Sequence, residues 1–406
     1  MTKPLRIGLI MQGGRGWLGG TEYIKNIIFA LASLPPDVRS TFEVYLICSQ
    51  SLDAERYSEI HPYVNNISYS GVNLDPYTLQ EIPVGSLNLQ NRILEKLNKS
   101  IIKIHNPRFK AFLKEQQIDF VYPYFNPGNS QISYNSAAWI YDFQHRHLPQ
   151  FFTEQESAKR DNSFSLMARY ASSVVLSSKT AEADFLKLFP EAAQKSKVLS
   201  FRTSPSSNWY EVKPLDTQKS YSLPDRFFLI SNQFWQHKNH LVVFEALRLL
   251  QKKSIYPNIV CTGHIYDYRR PDYADTIMQT IHKLGIAHQV YLLGLIPRLA
   301  QIQLMRRSLA VIQPSLFEGW STVVEDARCL GKPIILSDIP VHLEQHPPNS
   351  LLFERNSPES LATLLTEWWE HLSPGPDPEQ EAIARTNNRT EVQAFGYRFL
   401  EIAKSR

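Results

Sequence analysis

Residues 6–48 read RIGLIMQGGRGWLGGTEYIKNIIFALASLPPDVRSTFEVYLIC. The stretch opens with a short apolar run, Arg6–Met11, and continues into a glycine-rich turn. Between Thr21 and Leu34, apolar residues then recur at the i, i+3, i+4, i+7 spacing of one helix face. A second apolar run, Phe42–Cys48, follows. Strand, glycine turn, helix and strand in this order predict a βαβ unit and a parallel sheet.

The same alternation restarts in the second half of the chain. Phe227–Ser231 predicts a strand, Asn239–Leu250 a helix and Asn258–Thr262 a strand, and the alternation continues to Pro333–Ser337. A length of 406 residues also favours two domains. We therefore predict an α/β protein of two doubly wound, Rossmann-like domains that face a cleft. The predicted boundaries are 1–210 for the first domain, 211–224 for a proline-containing linker, 225–385 for the second domain and 386–406 for a final helix that packs back on the first.

The composition excludes several classes of protein. Apolar residues make up 43% and charged residues 20%, an ordinary globular mixture. The net charge of +4 is too small to indicate nucleic acid as a partner, but it suits anionic ligands. The three cysteines lack metal-ligand spacing, so we expect no zinc site and a reducing, cytoplasmic location. No apolar run reaches the ~18–20 residues of a membrane span, and we expect no secretory signal.

The glycine-rich turn allows two interpretations. Gly14-Arg-Gly16-Trp-Leu-Gly19 matches the G-x-G-x-x-G pattern of dinucleotide binding, which would make the protein an NAD(P)-dependent oxidoreductase. The second strand, however, ends in Cys48-Ser49-Gln50 and lacks the acidic residue that usually holds the ribose. In the other interpretation, backbone amides near Gly19 and Gly20 bind a phosphate or a hydroxyl-rich group.

A second motif lies at 313–333, QPSLFEGWSTVVEDARCLGKP. A buried strand ends there, a loop carries Glu318, and Gly319 allows a tight turn before a helix capped by Ser321 or Thr322. The start of that helix offers unpaired N–H groups to a phosphate or a sugar hydroxyl. Glu318 and Asp326 are spaced to hold two ends of one ligand. The alternative is that both are solvated acids of an ordinary helix.

This motif resembles the E-x7-E signature of retaining glycosyltransferase family 4, whose members have the GT-B fold. Glu318-Gly-Trp, Gly331-Lys-Pro333 and Ser337-Asp338 match the family pattern, and Asp326 stands at the position of the second Glu. The resemblance implies that Glu318 contacts the donor sugar and that Asp326, or the adjacent Glu325, holds the ribose hydroxyls. It also implies that backbone amides face the sugar and diphosphate at Gly319, Trp320, Ser321 and Thr322.

Two further stretches resemble the family. Lys238, in the stretch 232–240 (NQFWQHKNH), matches the lysine that neutralises the donor diphosphate, and Gln233 stands where the family has an arginine. Asp142 and His145 follow an apolar strand, where an α/β protein places its site. The family implies that His145 contacts the sugar and that Asp142 holds the imidazole or meets the acceptor. The alternative is a capping Asp and a surface His.

The resemblance thus implies a metal-independent, cofactor-independent hexosyltransferase with a nucleotide-sugar donor. The stretch 232–240 is similar to mannosyltransferase-like members, which favours GDP-mannose. The expected acceptor is a saccharide or a lipid-linked saccharide in surface polysaccharide assembly. Residues 86–117 carry a net charge of +5 among apolar residues, which suits peripheral binding to the anionic inner face of a membrane as well as an ordinary solvated helix. A catalytically silent, glycan- or partner-binding GT-B subunit remains an alternative.

Overall fold

The computed structural model describes residues 3–13, 18–49, 55–74, 81–82, 106–125 and 135–405. The chain forms two compact units. The ranges of unit 1 are Met1–Phe143, Thr153–Arg202 and Glu391–Arg406, and those of unit 2 are Gln144–Phe152 and Thr203–Thr390. A nine-residue segment, Gln144–Phe152, therefore belongs to unit 2 although unit 1 precedes and follows it in the chain.

The described part of unit 1 contains a parallel sheet with the strand order β3-β2-β1-β6-β7-β8-β9. A short antiparallel pair, β4 and β5, lies outside this sheet. The strands are β1 Leu5–Ile10, β2 Phe42–Cys48, β3 Asn66–Tyr69, β4 Asn73–Leu74, β5 Glu81–Ile82, β6 Phe120–Tyr122, β7 Asn135–Ile140, β8 Ser173–Leu176 and β9 Ser196–Val198.

The sheet of unit 2 is also parallel, with the order β12-β11-β10-β13-β14-β15. The order runs outward from β10 on one side and from β13 on the other, which is the doubly wound arrangement with its switch point between these two strands. The strands are β10 Phe228–Ser231, β11 Ile259–Thr262, β12 Val290–Gly294, β13 Val311–Gln313, β14 Ile334–Ser337 and β15 Ser350–Phe353.

Helices connect the strands of both sheets. Those of unit 1 within the described residues are Leu18–Ala32, Pro36–Arg39, Pro107–Glu115, Glu154–Tyr170 and Lys179–Leu188. Those of unit 2 are Gln144–His147, Asn208–Glu211, Pro214–Ser220, His240–Gln251, Tyr273–Leu284, Arg298–Arg307, Thr322–Cys329, Pro340–Gln345 and Pro358–His371. The last helix, Pro378–Lys404, contributes residues to both units.

Strand β10 shows why the apolar runs become central strands. All four of its residues are buried, because successive side chains point to opposite faces of the sheet and helices cover both faces. Phe228 and Ile230 pack into the same cluster as the helices His240–Gln251 and Pro358–His371. Leu229 packs into the other cluster, with the helices Arg298–Arg307 and Thr322–Cys329.

The domain boundaries in the structure differ from the predicted ones. The second range of unit 2 begins at Thr203, so the predicted linker 211–224 lies inside unit 2 and holds the helix Pro214–Ser220. Proline suits the first turn of a helix as well as a linker, so the prolines there do not distinguish the two. The final helix starts at Pro378, ahead of 386. Strand β15 was not predicted, because it is only four residues long and three of them are partly exposed.

Most of the basic segment 86–117 lies outside the described residues, which resume at 106. Its described end forms the helix Pro107–Glu115, whose Phe109 and Leu113 are buried in the core of unit 1. The apolar side of this helix is therefore already covered by protein. Within the described ranges, no helix is both long and apolar enough to cross a bilayer.

Candidate active site

Lys238 and Glu318 meet beyond the carboxyl ends of β10 and β13, the two strands that flank the switch point of unit 2. Parallel doubly wound sheets bind ligands at this position, because neighbouring loops diverge there to opposite faces. Lys238 ends a short 3-10 turn, Gln236–Lys238, that follows β10. Glu318 lies in the loop between β13 and the helix Thr322–Cys329. The fold thus brings together two side chains that are 80 residues apart in the sequence.

The two side chains form a close ion pair. Lys238 Nζ lies 2.6 Å from Glu318 Oε1, and the same oxygen accepts hydrogen bonds from Gln313 Nε2 at 2.8 Å and Ser315 Oγ at 2.6 Å. Burial raises the pKa of Glu318, but the charge of Lys238 and the hydrogen bonds from Lys238 and Ser315 outweigh it. The pKa of Glu318 therefore lies below its usual value, and the carboxylate is ionised at neutral pH.

Hydrogen bonds of the backbone and of side chains hold the two loops together. The amide of Leu316, two residues before Glu318, donates at 2.8 Å to the carbonyl of His237, the residue before Lys238. Asn232, at the end of β10, donates from its side chain to Gln313 Oε1 at 2.9 Å. The ion pair is therefore built into a rigid frame, which is what precise orientation of a ligand requires.

The helix Thr322–Cys329 begins as predicted, with Ser321 as its N-cap. Ser321 Oγ accepts from the Val324 amide at 3.4 Å. The prediction that the amides from Gly319 to Thr322 all face a ligand needs correction at Ser321, because its amide donates to Gln345 Oε1 at 3.0 Å. Gly319, Trp320 and Thr322 are partly exposed beside it.

Asp326 and Glu325 are both fully buried, and their predicted contact with the ribose hydroxyls stays a prediction. Asp326 Oδ1 lies 2.6 Å from Arg298 Nη2 and accepts from Thr203 Oγ1 at 3.0 Å. Glu325 Oε1 accepts from Gln345 Nε2 at 2.9 Å. A buried carboxylate requires partners of this kind, because it is not solvated by water.

The predicted residues of the N-terminal half fall into different units. Asp142 belongs to unit 1, where its Oδ1 lies 3.3 Å from Arg160 Nη1. His145 belongs to unit 2 and is almost fully buried, with its ring edge-on to Phe152 at 6.1 Å. The sequence predicted that both residues belong to one cluster. The structure assigns Asp142 to unit 1 and His145 to unit 2, because the boundary between the units falls between Phe143 and Gln144.

Gly19 and Gly20 lie in the first turn of the helix Leu18–Ala32 in unit 1, rather than in the loop before it. The glycine pattern between 14 and 17 lies outside the described residues. The first turn of a helix leaves its N–H groups without intrahelical partners, and the binding of a polar ligand by the amides near both glycines stays a prediction. Thr21 Oγ1 donates to the carbonyl of Gln12 at 3.0 Å, which ties the start of the helix to the chain just after β1.

Two of the histidines near the site are neutral. Burial and the charge of Lys238 lower the pKa of His240 to about 3, and its ring stacks on Phe234 at 4.3 Å. Burial lowers the pKa of His342 to about 4, although Glu318 opposes the shift. His342 Nδ1 donates to the carbonyl of Ser337 at 2.9 Å. Neither histidine therefore adds positive charge beside Lys238. Gln233 lies partly exposed after β10, where the family pattern has an arginine, and its neutral side chain adds no charge either.

Sequence reasoning missed several residues that the fold brings to the site. These residues follow the carboxyl ends of β11, β12 and β14. Because α/β sheets bind ligands beyond the carboxyl ends of their strands, the predicted strands could have pointed to these residues. They are Gly263, Asp267, Arg269, Arg298, His342 and Gln345. Among the described residues, no three His, Cys, Asp or Glu side chains are grouped as a metal site would require.

The half of the chain that holds Lys238 and Glu318 has a recognisable family pattern. Residues 215–387 match the family model described as Glycosyl transferases group 1. This part of the chain is therefore similar to a glycosyltransferase group 1 domain. An uncharacterized glycosyltransferase of Methanocaldococcus jannaschii is 21% identical over 228 residues, which are 52% of this chain and 56% of that protein. The chain thus matches little more than half the length of this curated relative.

Solved structures extend the likeness from the glycosyltransferase group 1 domain to the whole fold. A glycosyltransferase from Rickettsia africae has a TM-score of 0.64 at 14% identity and covers 100% of both chains. Anabaena HepE, solved with UDP and glucose, has a TM-score of 0.62 at 17% identity and covers 99% of this chain and 100% of its own. The sucrose-phosphate synthase of Thermosynechococcus elongatus scores 0.63 at 17% identity, over 98% of this chain and 96% of its own. The two parallel-sheet units are therefore those of the GT-B fold, as the sequence predicted.

Proposed function

We propose that this protein transfers a hexosyl group from a nucleoside diphosphate sugar to a hydroxyl group of an acceptor. The observation that carries the proposal is the 2.6 Å Lys238–Glu318 pair at the switch point of the glycosyltransferase group 1 domain. A cation and a carboxylate, side by side and largely shielded from water, suit a ligand that carries a diphosphate at one end and sugar hydroxyls at the other.

In the proposed reaction, the bond between the anomeric carbon and the β-phosphate oxygen breaks, and a bond to the acceptor oxygen forms. Negative charge grows on the leaving diphosphate, which Lys238 stabilises. The ammonium has three donors, so it can keep Glu318 while it binds a phosphate oxygen. Glu318 accepts from a sugar hydroxyl and orients the ring. The proton of the acceptor hydroxyl leaves with the diphosphate, and the acceptor attacks from the same face, so the anomeric configuration is retained.

A panel of nucleotide sugars tests the donor. The purified protein is incubated with GDP-mannose, the donor that the sequence favours, and with UDP-glucose, with which Anabaena HepE has also been solved. Thermal shift reports binding, and release of the nucleoside diphosphate reports turnover. We expect one donor to raise the midpoint of unfolding and to be turned over. Absence of binding by every donor of the panel would contradict the proposal.

Retention and metal independence are separate parts of the proposal. NMR of the product with an α-linked donor should show an α-linkage at the new bond. Turnover should persist after the protein is treated with EDTA, because Lys238 and the start of the helix Thr322–Cys329 take the role that a divalent cation otherwise has at a diphosphate. A β-linked product, or turnover restored only by added Mg²⁺ or Mn²⁺, would contradict these parts.

One observation favours a second candidate, a catalytically silent subunit that binds a glycan or a partner. Asp326, at the predicted ribose-binding position, is buried and already paired with Arg298. Slow hydrolysis of a bound donor in the absence of acceptor separates the candidates, because a silent subunit would bind without any release of nucleoside diphosphate.

The acceptor proposed is a saccharide or a lipid-linked saccharide. Residues 86–117 are the proposed contact with an anionic membrane surface. Sedimentation with vesicles of phosphatidylglycerol tests this contact, with neutral phosphatidylcholine vesicles as the control. Binding that is equal for both vesicles, or absent for both, would contradict an electrostatic contact.

A further inference from the structure

The segment Gln144–Phe152 carries His145 and contacts the rest of unit 2 at both of its ends. At its start, Gln144 Oε1 lies 3.4 Å from Arg269 Nη1. At its end, the ring of Phe152 lies 4.1 Å below the guanidinium carbon of Arg269. One arginine thus holds both ends of a nine-residue segment.

Between these ends, the segment also reaches the loop of Glu318. The ring of His147 lies 5.1 Å from the ring of Phe317, the residue before Glu318. His145 is therefore carried by a segment that contacts the loops after β11 and β13, the second of which holds the carboxylate of the ion pair.

Aromatic rings surround Arg269. Besides Phe152, its guanidinium carbon lies 5.3 Å from the ring centroid of Trp235 and 5.2 Å from that of Tyr268. Its Nε donates to the hydroxyl of Tyr268 at 3.1 Å. A planar guanidinium stacks on rings and donates from its edge at the same time, which an ammonium cannot do.

Asp267 links Arg269 to the turn of Lys238. Its Oδ1 accepts from the amide of Arg269 at 3.0 Å, and its Oδ2 accepts from the amide of Gln236 at 3.3 Å. Gln236 is the first residue of the turn that ends at Lys238. Asp267 is almost fully buried, so these two hydrogen bonds are shielded from water.

We infer that Arg269 is a positioning residue, which holds the segment of His145 in register with Lys238 and Glu318. The inference rests on the proposed function, since it assigns Arg269 an effect on transfer through these residues. Arg269 acts through the segment and touches neither reacting group. Its neighbour Arg270 has other partners, Asp272 at 3.5 Å and the ring of Tyr273, and offers a matched control.

Three variants test the inference: Arg269→Ala, Arg269→Lys and Arg270→Ala. The first measurement is hydrogen–deuterium exchange of the whole protein. We expect the amides of 144–152 to exchange faster in Arg269→Ala and Arg269→Lys, and at the wild-type rate in Arg270→Ala. Hydrogen–deuterium exchange requires no turnover, so it tests whether Arg269 holds the segment 144–152 even if the protein turns over no donor. Absence of turnover would overturn the proposed function but not the positioning role of Arg269.

The second measurement separates kcat from donor binding. We expect Arg269→Ala to lower kcat by roughly 10- to 100-fold, because misplacing a sugar-orienting group by about 1 Å has an effect of this size. The dissociation constant of the nucleoside diphosphate should stay unchanged, because Lys238 remains in place. Arg269→Lys should not restore kcat, and Arg270→Ala should match the wild type.

Three results would overturn the inference: wild-type exchange over 144–152 in Arg269→Ala, wild-type kcat in that variant, or restoration of kcat by lysine. If Arg269→Ala unfolds, Phe152→Leu replaces it, since this change removes the ring under the guanidinium and keeps an apolar side chain. Phe152→Leu should then show the same faster exchange and lower kcat, and wild-type values for both would overturn the inference equally.

Discussion

Glu318 Oε1 accepts hydrogen bonds from three side chains: the ammonium of Lys238, the amide of Gln313 and the hydroxyl of Ser315. Two of the three donors come from the end of β13 and its loop, and the third from the loop after β10. The carboxylate is therefore fixed by its own loop, and Lys238 is placed against it. In the proposed reaction, Glu318 orients the sugar and Lys238 binds the diphosphate.

Removing either member of the pair should abolish transfer without unfolding the protein. We expect Lys238→Ala and Glu318→Ala to lower kcat/KM by about 10²–10³-fold, the usual effect of losing one preorganised electrostatic contact. Steady-state kinetics with the preferred donor measures this. The exposed residues Lys252 and Glu245 give matched controls, Lys252→Ala and Glu245→Ala, which should behave as wild type. Near-normal turnover by either site variant would refute the assignment.

The alternation of strands and helices from β10 to β14 could be predicted from the sequence because these strands are continuous apolar runs. Phe227–Ser231 and Pro333–Ser337 stand out for this reason, and the structure places β10 and β14 within them. The family resemblance singled out Lys238 and Glu318, and the topology accounts for their position, since parallel strands present their carboxyl ends on one edge. This part of the site required no knowledge of side-chain contacts.

The surroundings of the acidic residues could not be predicted in the same way. Asp326 is buried because Arg298 and Thr203, 28 and 123 residues away, supply its partners. The placement of 144–152 in unit 2 likewise depends on Arg269, which is 125 residues from Gln144. Such contacts are set by side-chain packing across elements, and local periodicity contains no information about them.

Arg298 should be important for stability, although about a third of its side chain is exposed. Its partner Asp326 is fully buried, so Arg298→Met would leave a buried carboxylate without its ion pair. We expect a loss of ~2–4 kcal/mol in the free energy of unfolding, less than for a pair buried on both sides. Urea unfolding followed by circular dichroism measures it. The double variant Arg298→Met/Asp326→Asn should recover part of the loss, and additive losses would argue against the pair.

The protein should lose stability as the pH falls below 6.5. The pKa of His240 is lowered from 6.5 to about 3 and that of His342 to about 4, so between these values the unfolded state binds more protons than the folded one. Each histidine then reduces the free energy of unfolding by ~1.4 kcal/mol per pH unit. Urea unfolding at several pH values between 6.5 and about 4.5 measures how the free energy of unfolding changes with pH. Glu318 titrates below this window, because its pKa is lowered.

The variant His240→Phe tests this origin of the pH dependence. Phenylalanine keeps a ring against Phe234 but does not titrate, so the slope should fall by the share of one histidine, ~1.4 kcal/mol per pH unit. His288→Gln, at an exposed position, is the control and should leave the slope unchanged. A slope unaffected by His240→Phe would show that the acid sensitivity arises elsewhere.

Gly263, directly after β11, should tolerate no side chain. Its φ is +130°, and a Cβ there would lie 2.2 Å from the carbonyl oxygen of Asn232 and 2.9 Å from the amide nitrogen of Gln233, both in the loop that leads to Lys238. Gly263→Ala should cost more than ~3 kcal/mol and weaken nucleotide binding, because backbone must move to relieve the clash. Gly285→Ala is the control: its φ is +68°, no atom lies within 4 Å of the added Cβ, and strain alone should cost ~1–2 kcal/mol. Comparable losses in the two variants would mean that the loop of Lys238 yields easily, and the rigid frame inferred for the ion pair would then be wrong.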